Sequence, residues 1–152
     1  MLMDIFKIRE AALQKCVCII QYIINEKSDF DMVNNLEMVK FRIKSEESIK
    51  KKMRQKNLTV DKVYDLIGIR FILKTEEQCY EFLEKIKNNT NFRINEIRDY
   101  IKNPKDLDQY KAIHVLINFD NHLCEIQIMN IDMNKLDEKT HEDYKKGLLN
   151  IL

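Results

Sequence analysis

The chain is 152 residues long, 34% charged and 45% hydrophobic, which suits one soluble globular domain built around one core. A net charge of +1 excludes an anion-binding surface spread over the whole molecule, so any phosphate site has to come from local clustering. No apolar run approaches membrane-spanning length, and the N-terminus lacks the charged-then-apolar pattern of a secretion signal.

In chain order, Ile5, Ile8, Ala12, Cys16, Ile19/Ile20 and Ile23 recur at helical spacing and predict an amphipathic helix from Asp4 to about Asn25. Residues Ser28 to Asn35 read as a loop, and Leu36 to Lys44 as a strand. Ser45 is positioned to cap a helix running to about Gln55, with Glu46 and Glu47 in the first turn, where the helix dipole favours anions. Thr59 is positioned to cap a second, short helix with Val60, Val63 and Tyr64 on its inner side. Gly68 to Leu73 is short, apolar and rich in β-formers, the pattern of a buried strand. Helical spacing returns from Glu76 to Asn88, and Phe92 to Ile101 reads as a strand followed by a turn at Asn103–Pro104–Lys105. Lys111 to Phe119 and Leu123 to Met129 predict two strands joined across Asp120–Asn121 as a hairpin, and Asp132 to Leu152 a final helix. The order α–β–α–α–β–α–β–β–β–α implies one α/β (α+β) domain over 1–152, with a mixed β-sheet of about five strands flanked by helices.

Two Gly and one Pro leave the elements regular and the turns short. Cys16, Cys18, Cys79 and Cys124 lie among apolar residues without zinc-ligand spacing. They read as reduced, buried thiols, and a cytoplasmic location is the expectation.

Residues 40–56 concentrate positive charge: Lys40, Arg42, Lys44, Lys50, Lys51, Lys52, Arg54 and Lys56 against Glu46 and Glu47. On a strand, Arg42 and Lys44 would share a face; on the following helix, Ser48 and Lys52 would share another. Four phosphate-seeking groups then converge near a helix N-terminus, or the stretch is a solvated basic face. Arg70 lies inside GIRFIL, where an unpaired guanidinium is costly. It must therefore pair with a carboxylate or project from the sheet into a ligand cleft. In CEIQI, Cys124, Ile126 and Ile128 point one way, Glu125 and Gln127 the other. That second face is either open to solvent or turned to the side of Asp65 and Arg70, in which case the carboxylates of Asp65 and Glu125 could share a magnesium ion with ATP phosphates. Tyr110 and His114 share a strand face if the strand begins at Tyr110.

Taken jointly, these segments resemble the synthetase domain of the RelA/SpoT family, which makes the alarmones (p)ppGpp. Arg42, Lys44, Ser48 and Lys52 match its R-x-K run with the following Ser and Lys; Asp65, Gly68 and Arg70 match D-x-x-G-x-R. The stretch Asp99 to Lys105 is similar to its DYI-x-x-PK, Tyr110 and His114 match Y-x-x-x-H, and Glu125 to Ile128 match the start of E-x-Q-x-R-T. The stretch His141 to Lys145 resembles its closing EH-x-x-YK helix. The resemblance covers about residues 36–146, after an N-terminal helical segment within 1–27, and implies the nucleotidyltransferase-like fold of those synthetases.

By that resemblance, Arg42 and Arg70 sandwich the ATP adenine, while Lys44, Ser48 and Lys52 hold the triphosphate. Asp65 and Glu125 bind Mg²⁺, with Glu125 also the general base on the acceptor 3′-hydroxyl. Tyr110 stacks on guanine, Lys105 and His114 lie near the acceptor phosphates, and Gln127 belongs with them. The implied activity is transfer of pyrophosphate from ATP to GDP or GTP. The family commonly has Asn-Gly where Asp108 and Gln109 stand, and Arg-Thr where Met129 and Asn130 stand, departures expected on the acceptor side.

The first histidine is His114, so the resemblance implies a stand-alone synthetase without the His-Asp hydrolase domain of long members. A homo-oligomer stays open, since the family's tetramer-forming tail is expected to be missing. Two alternatives accompany this expectation. One is a toxin-type relative that uses the tRNA 3′ end as acceptor. The other is a catalytically inactive nucleotide- or RNA-binding module whose basic stretch 40–56 contacts phosphates.

Overall fold

The structure, a computed structural model, describes residues 2–59, 63, 66–105, 109–120 and 122–140. Helix α1 (Leu2–Asn25) is followed by the single turn α2 (Met32–Asn35), strand β1 (Leu36–Ile43) and helix α3 (Glu46–Lys56). Next come β2 (Ile67–Leu73), α4 (Glu76–Lys87), β3 (Arg93–Asp99), β4 (Ile113–Phe119) and β5 (His122–Asn130). Residues 131–140 are helical. The strands form one five-stranded sheet in the order β1-β2-β5-β4-β3, with β2 and β5 parallel and the other pairs antiparallel.

One sheet face is apolar. Register sets Ile67, Cys124 and Ile117 side by side, then Ile69, Ile126 and Val115, then Phe71, Ile128 and Ile113, all buried. Helices α1 and α4 supply the residues that share this core: Ala12, Cys16, Ile19 and Ile23 from one, Cys79, Phe82 and Ile86 from the other. The Phe71 and Phe82 rings meet at 4.7 Å between centroids. Helix α1 is therefore part of the same hydrophobic core as the sheet.

Local chemistry explains most boundaries. Ser45 caps α3 by accepting the Ser48 backbone N–H, and Asn57 closes it in the left-handed conformation that asparagine tolerates. Thr75 and Gln78 form a capping box at the start of α4. Asp120, also left-handed (φ 48°), turns the β4–β5 hairpin.

Three expectations need correction. The stretch Ser28–Asn35 is not all loop, because Asp31 accepts the Asn34 N–H at 3.1 Å and nucleates α2. Four residues are too few to display a helical period. Strand β1 ends at Ile43, one residue before Lys44, whose N–H donates to the Leu66 carbonyl at 2.8 Å. Strand β4 begins at Ile113, not Lys111, so Tyr110 precedes it. The helix expected after Thr59 rests on Val60 and Tyr64, outside the described residues, as do residues 141–152 of the final helix.

Among the described residues no helix is long and apolar enough to cross a membrane. The thiols differ in reactivity. Burial pushes Cys16 up to about 11 and Cys79 up to about 12, and raises Cys124 well above the usual thiol range; Cys18, expected to be buried with them, is instead exposed on the outer side of α1. Because the thiolate is the nucleophile, raised values suppress reaction at pH 8. Ellman's reagent should titrate one thiol rapidly in the native protein and four after denaturation; two or more rapid thiols would contradict this core.

Candidate active site

The sheet's other face is polar, and it follows from the same register. One row across the five strands reads Arg42, Gly68, Glu125, Leu116 and Glu96; the next reads Lys40, Arg70, Gln127, His114 and Arg98. Residues directly opposite on paired strands share a face, so five segments distant in sequence present these side chains together. Above them lies a cleft of ≈ 750 Å³ lined by Lys40, Arg42, Arg70, Lys105, Tyr110, His114, Glu125, Gln127 and Asp137, among others. A smaller cleft of ≈ 310 Å³, lined by Glu96, Arg98, Leu116, His114 and Glu125, adjoins it. Glu125 and His114 line both.

Glu125 is held in place. His114 Nδ1 lies 2.9 Å from Glu125 Oε1, and Tyr110 Oη lies 2.7 Å from His114 Nε2. An ionised carboxylate only accepts, so in the neutral ring Nδ1 carries the proton and Nε2 accepts from the phenol. Burial raises the Tyr110 phenol well above its ordinary value, which keeps that donor protonated. The Tyr100 ring meets His114 edge-on at 5.0 Å. Tyr110 and His114 do come together, though not by strand alternation: the residues between them lead into β4 and let the phenol fold back onto the imidazole.

The DYIKNPK stretch is a turn organised by Asp99. Its Oδ1 accepts the N–H groups of Ile101 and Lys102, both at 3.0 Å, and its Oδ2 accepts the Tyr80 hydroxyl at 2.8 Å. Lys105 follows this turn, with its Nζ 5.2 Å from the centroid of the Tyr100 ring, and reaches the larger cleft.

Arg70 resolves the choice posed by its place in GIRFIL in both ways: it lines the cleft and it is paired. Nη2 lies 2.9 Å from Asp137 Oδ2, Nη1 donates to Asn134 Oδ1 at 3.0 Å, and Nε donates to Gln127 Oε1 at 2.9 Å. Gln127, expected on the acceptor side, thus has its side-chain oxygen on Arg70. Lys40, the register partner of Arg70, pairs with Glu138. Gly68 leaves room beside Arg42: a Cβ there would meet Arg42 Cγ at 3.4 Å.

The larger cleft therefore gathers Arg42, Arg70, Lys105, Tyr110, His114, Glu125 and Gln127 from the expected residues. Lys44, Ser48 and Lys52 are not in its lining; they follow β1 through the first turns of α3, where the Ser45 hydroxyl donates to Ser48 Oγ at 2.9 Å. Asp65 and Asp108 lie outside the described residues. Met129 is fully buried, one row beyond Gln127 and away from Glu125, and Asn130 caps residues 131–140 by accepting the Met133 N–H at 2.9 Å. These two departures therefore have structural work at the end of β5 rather than a place beside His114. Sequence reasoning counted Lys40 only within the basic stretch, not on the cleft face, and missed Asp137. The two-residue period from Arg42 could have found Lys40; no local pattern marks Asp137.

Residues 41–148 match the profile of a region found in RelA / SpoT proteins. Over 110 residues the chain is 36% identical to a probable GTP diphosphokinase, RSH3, chloroplastic, of Oryza sativa subsp. japonica, spanning 70% of this chain and 15% of that protein. Over 127 residues it is 30% identical to the GTP pyrophosphokinase YwaC of Bacillus subtilis (strain 168), spanning 74% of this chain and 60% of that one. The structure of small alarmone synthetase 2 from Bacillus subtilis superposes with a TM-score of 0.69 at 30% identity, over 96% of this chain and 79% of that chain.

Proposed function

The chain belongs to the RelA/SpoT family, and from that premise we propose that it transfers pyrophosphate from ATP to the 3′-hydroxyl of GDP or GTP, forming (p)ppGpp and AMP. The observation that carries the proposal is the central position of Glu125. Across the sheet it stands between Arg42 and Arg70 on β1 and β2 and His114 on β4, in a cleft that also receives Tyr110 and Lys105. A two-substrate transfer needs one base between a donor side and an acceptor side, and this order of strands supports Glu125 in that role.

In this reading Arg42 and Arg70 stack on adenine, and Lys44, Ser48 and Lys52 take the triphosphate as it runs toward α3. Tyr110 offers its ring to guanine, and Lys105 and His114 lie toward the acceptor phosphates. Gln127 is reassigned from the acceptor to the support of Arg70. Glu125 removes the 3′-hydroxyl proton as that oxygen attacks the β-phosphorus. The bond from the β-phosphorus to the bridging oxygen of the α-phosphate breaks, and AMP leaves with the electron pair. Positioning and charge neutralisation carry the acceleration, as in phosphoryl transfer generally.

Glu125 offers a hard carboxylate oxygen in the cleft, the donor type that Mg²⁺ takes once or twice while substrate phosphates and water complete its shell. Asp65, a few residues before the β2 position that pairs with Glu125, is the second ligand in this proposal. Bound there, magnesium would neutralise charge on the β- and γ-phosphates.

Incubation with ATP, Mg²⁺ and GDP or GTP should yield AMP and a 3′-pyrophosphorylated guanosine nucleotide in equal amounts. Transfer of label to tRNA with none to GDP or GTP would replace the acceptor. Nucleotide binding without turnover on any acceptor would reduce the chain to a binding module.

A further inference from the structure

We propose that Asp137, on the helical segment 131–140, is a positioning residue that fixes the plane of Arg70 so that the guanidinium presents a flat face to the nucleotide base. This inference rests on the donor role given above to Arg70 and adds what selects that role.

All N–H bonds of a guanidinium lie in its plane. In Arg70 two of the three nitrogens are hydrogen-bonded, Nε to Gln127 and Nη1 to Asn134, and Nη2 is ion-paired with Asp137 at 2.9 Å. The group cannot rotate without breaking these bonds together, so the direction of its two faces is set. The Asp137 carboxylate, 2.9 Å away, also balances its charge. A planar cation with anchored edges is suited to a planar aromatic ring. Phosphate would instead compete for the edges that the protein already occupies.

The anchor is itself built. Asn134 is buried and donates to Glu138 Oε1 at 3.4 Å; Glu138 pairs with Lys40, and Lys40 lies opposite Arg70 in the sheet. Asn130 caps the start of the segment at the end of β5. Strand β5 thus supplies Gln127 directly and, through the helical segment continuing from it, Asn134 and Asp137. The side chains of Arg70 and Asp137 are four-fifths buried, at 20% and 18% exposure, so their pairing is shielded from solvent screening.

The test is calorimetric binding of a non-hydrolysable ATP analogue, and of inorganic tripolyphosphate, to the wild-type chain, Asp137→Ala and Asp137→Asn. Asp137→Ala should weaken the analogue about tenfold while leaving tripolyphosphate within about twofold, because only the stacking contact depends on the plane. Asp137→Asn keeps an oxygen for Nη2, is the milder change should the alanine variant not fold, and should weaken the analogue by about threefold, again without effect on tripolyphosphate. Unchanged analogue binding in both variants would overturn the proposal. Tighter binding would overturn it too, by making Asp137 a competitor of phosphate, and so would equal losses for both ligands. A wild-type chain that binds no analogue would instead remove the nucleotide reading itself, and this inference with it.

Discussion

Glu125→Gln should lower pyrophosphate transfer by about a thousandfold or more, within the range of general-base catalysis, while largely sparing ATP binding. The substitution is close to isosteric. A glutamine oxygen can still accept the Nδ1–H of His114, which now lies 2.9 Å from Glu125 Oε1, so the Tyr110–His114 arrangement survives. What is lost is the negative charge and the basicity. In the proposed reading, adenine and triphosphate recognition rest on Arg42, Arg70, Lys44, Ser48 and Lys52, whose side chains this change leaves in place. Single-turnover measurement of AMP release, beside calorimetric binding of a non-hydrolysable ATP analogue, separates the two effects. Turnover within tenfold of wild type would mean that another group takes the proton. Loss of binding and turnover together would point to a role for Glu125 in holding the donor.

Arg70→Ala is expected to do two kinds of damage that a double variant can separate. Removing the guanidinium strands Asp137 in a largely desolvated position and leaves Asn134 and Gln127 without a donor. Breaking a buried pair typically costs about 3–5 kcal/mol; because both side chains keep about a fifth of their area open, roughly 2–4 kcal/mol is expected here. The stacking face also disappears, which should weaken ATP by about tenfold or more. Adding Asp137→Ala removes the unpaired carboxylate, so the double variant should recover much of the stability and none of the ATP affinity. Urea unfolding gives the first quantity and analogue binding the second. Equal stability of the single and double variants would show that Asp137 re-solvates freely. Recovered ATP affinity in the double variant would deny Arg70 a direct contact with the nucleotide.

Much of this was legible in the chain. The alternation in CEIQI put Glu125 and Gln127 on the face opposite Cys124, Ile126 and Ile128, and the sheet does the same. Ser45 announced its helix by type and place. The arginine in GIRFIL announced either a carboxylate partner or a ligand cleft, because an unpaired guanidinium inside a buried strand is too costly to leave. The link between Tyr110 and His114 was legible as a motif and as a shared strand face on the condition that the strand began at Tyr110. Its geometry depends on β4 starting at Ile113 and on a phenol folding back before the strand begins.

What the sequence by itself determined was most of the described elements, the two faces of the central strands and the identity of the chemical groups. Helical and strand periods are written by neighbours within a few positions, so they can be read without knowing the fold. The tertiary structure alone decided which groups meet. Strand order β1-β2-β5-β4-β3 put Glu125 between the arginines and His114, and the helical segment after β5 returned Asn134 to Arg70 from sixty-four residues away. Such contacts arise from burying an apolar sheet face and satisfying the charges left on the other. Both are long-range demands, and they leave no periodic trace in the chain.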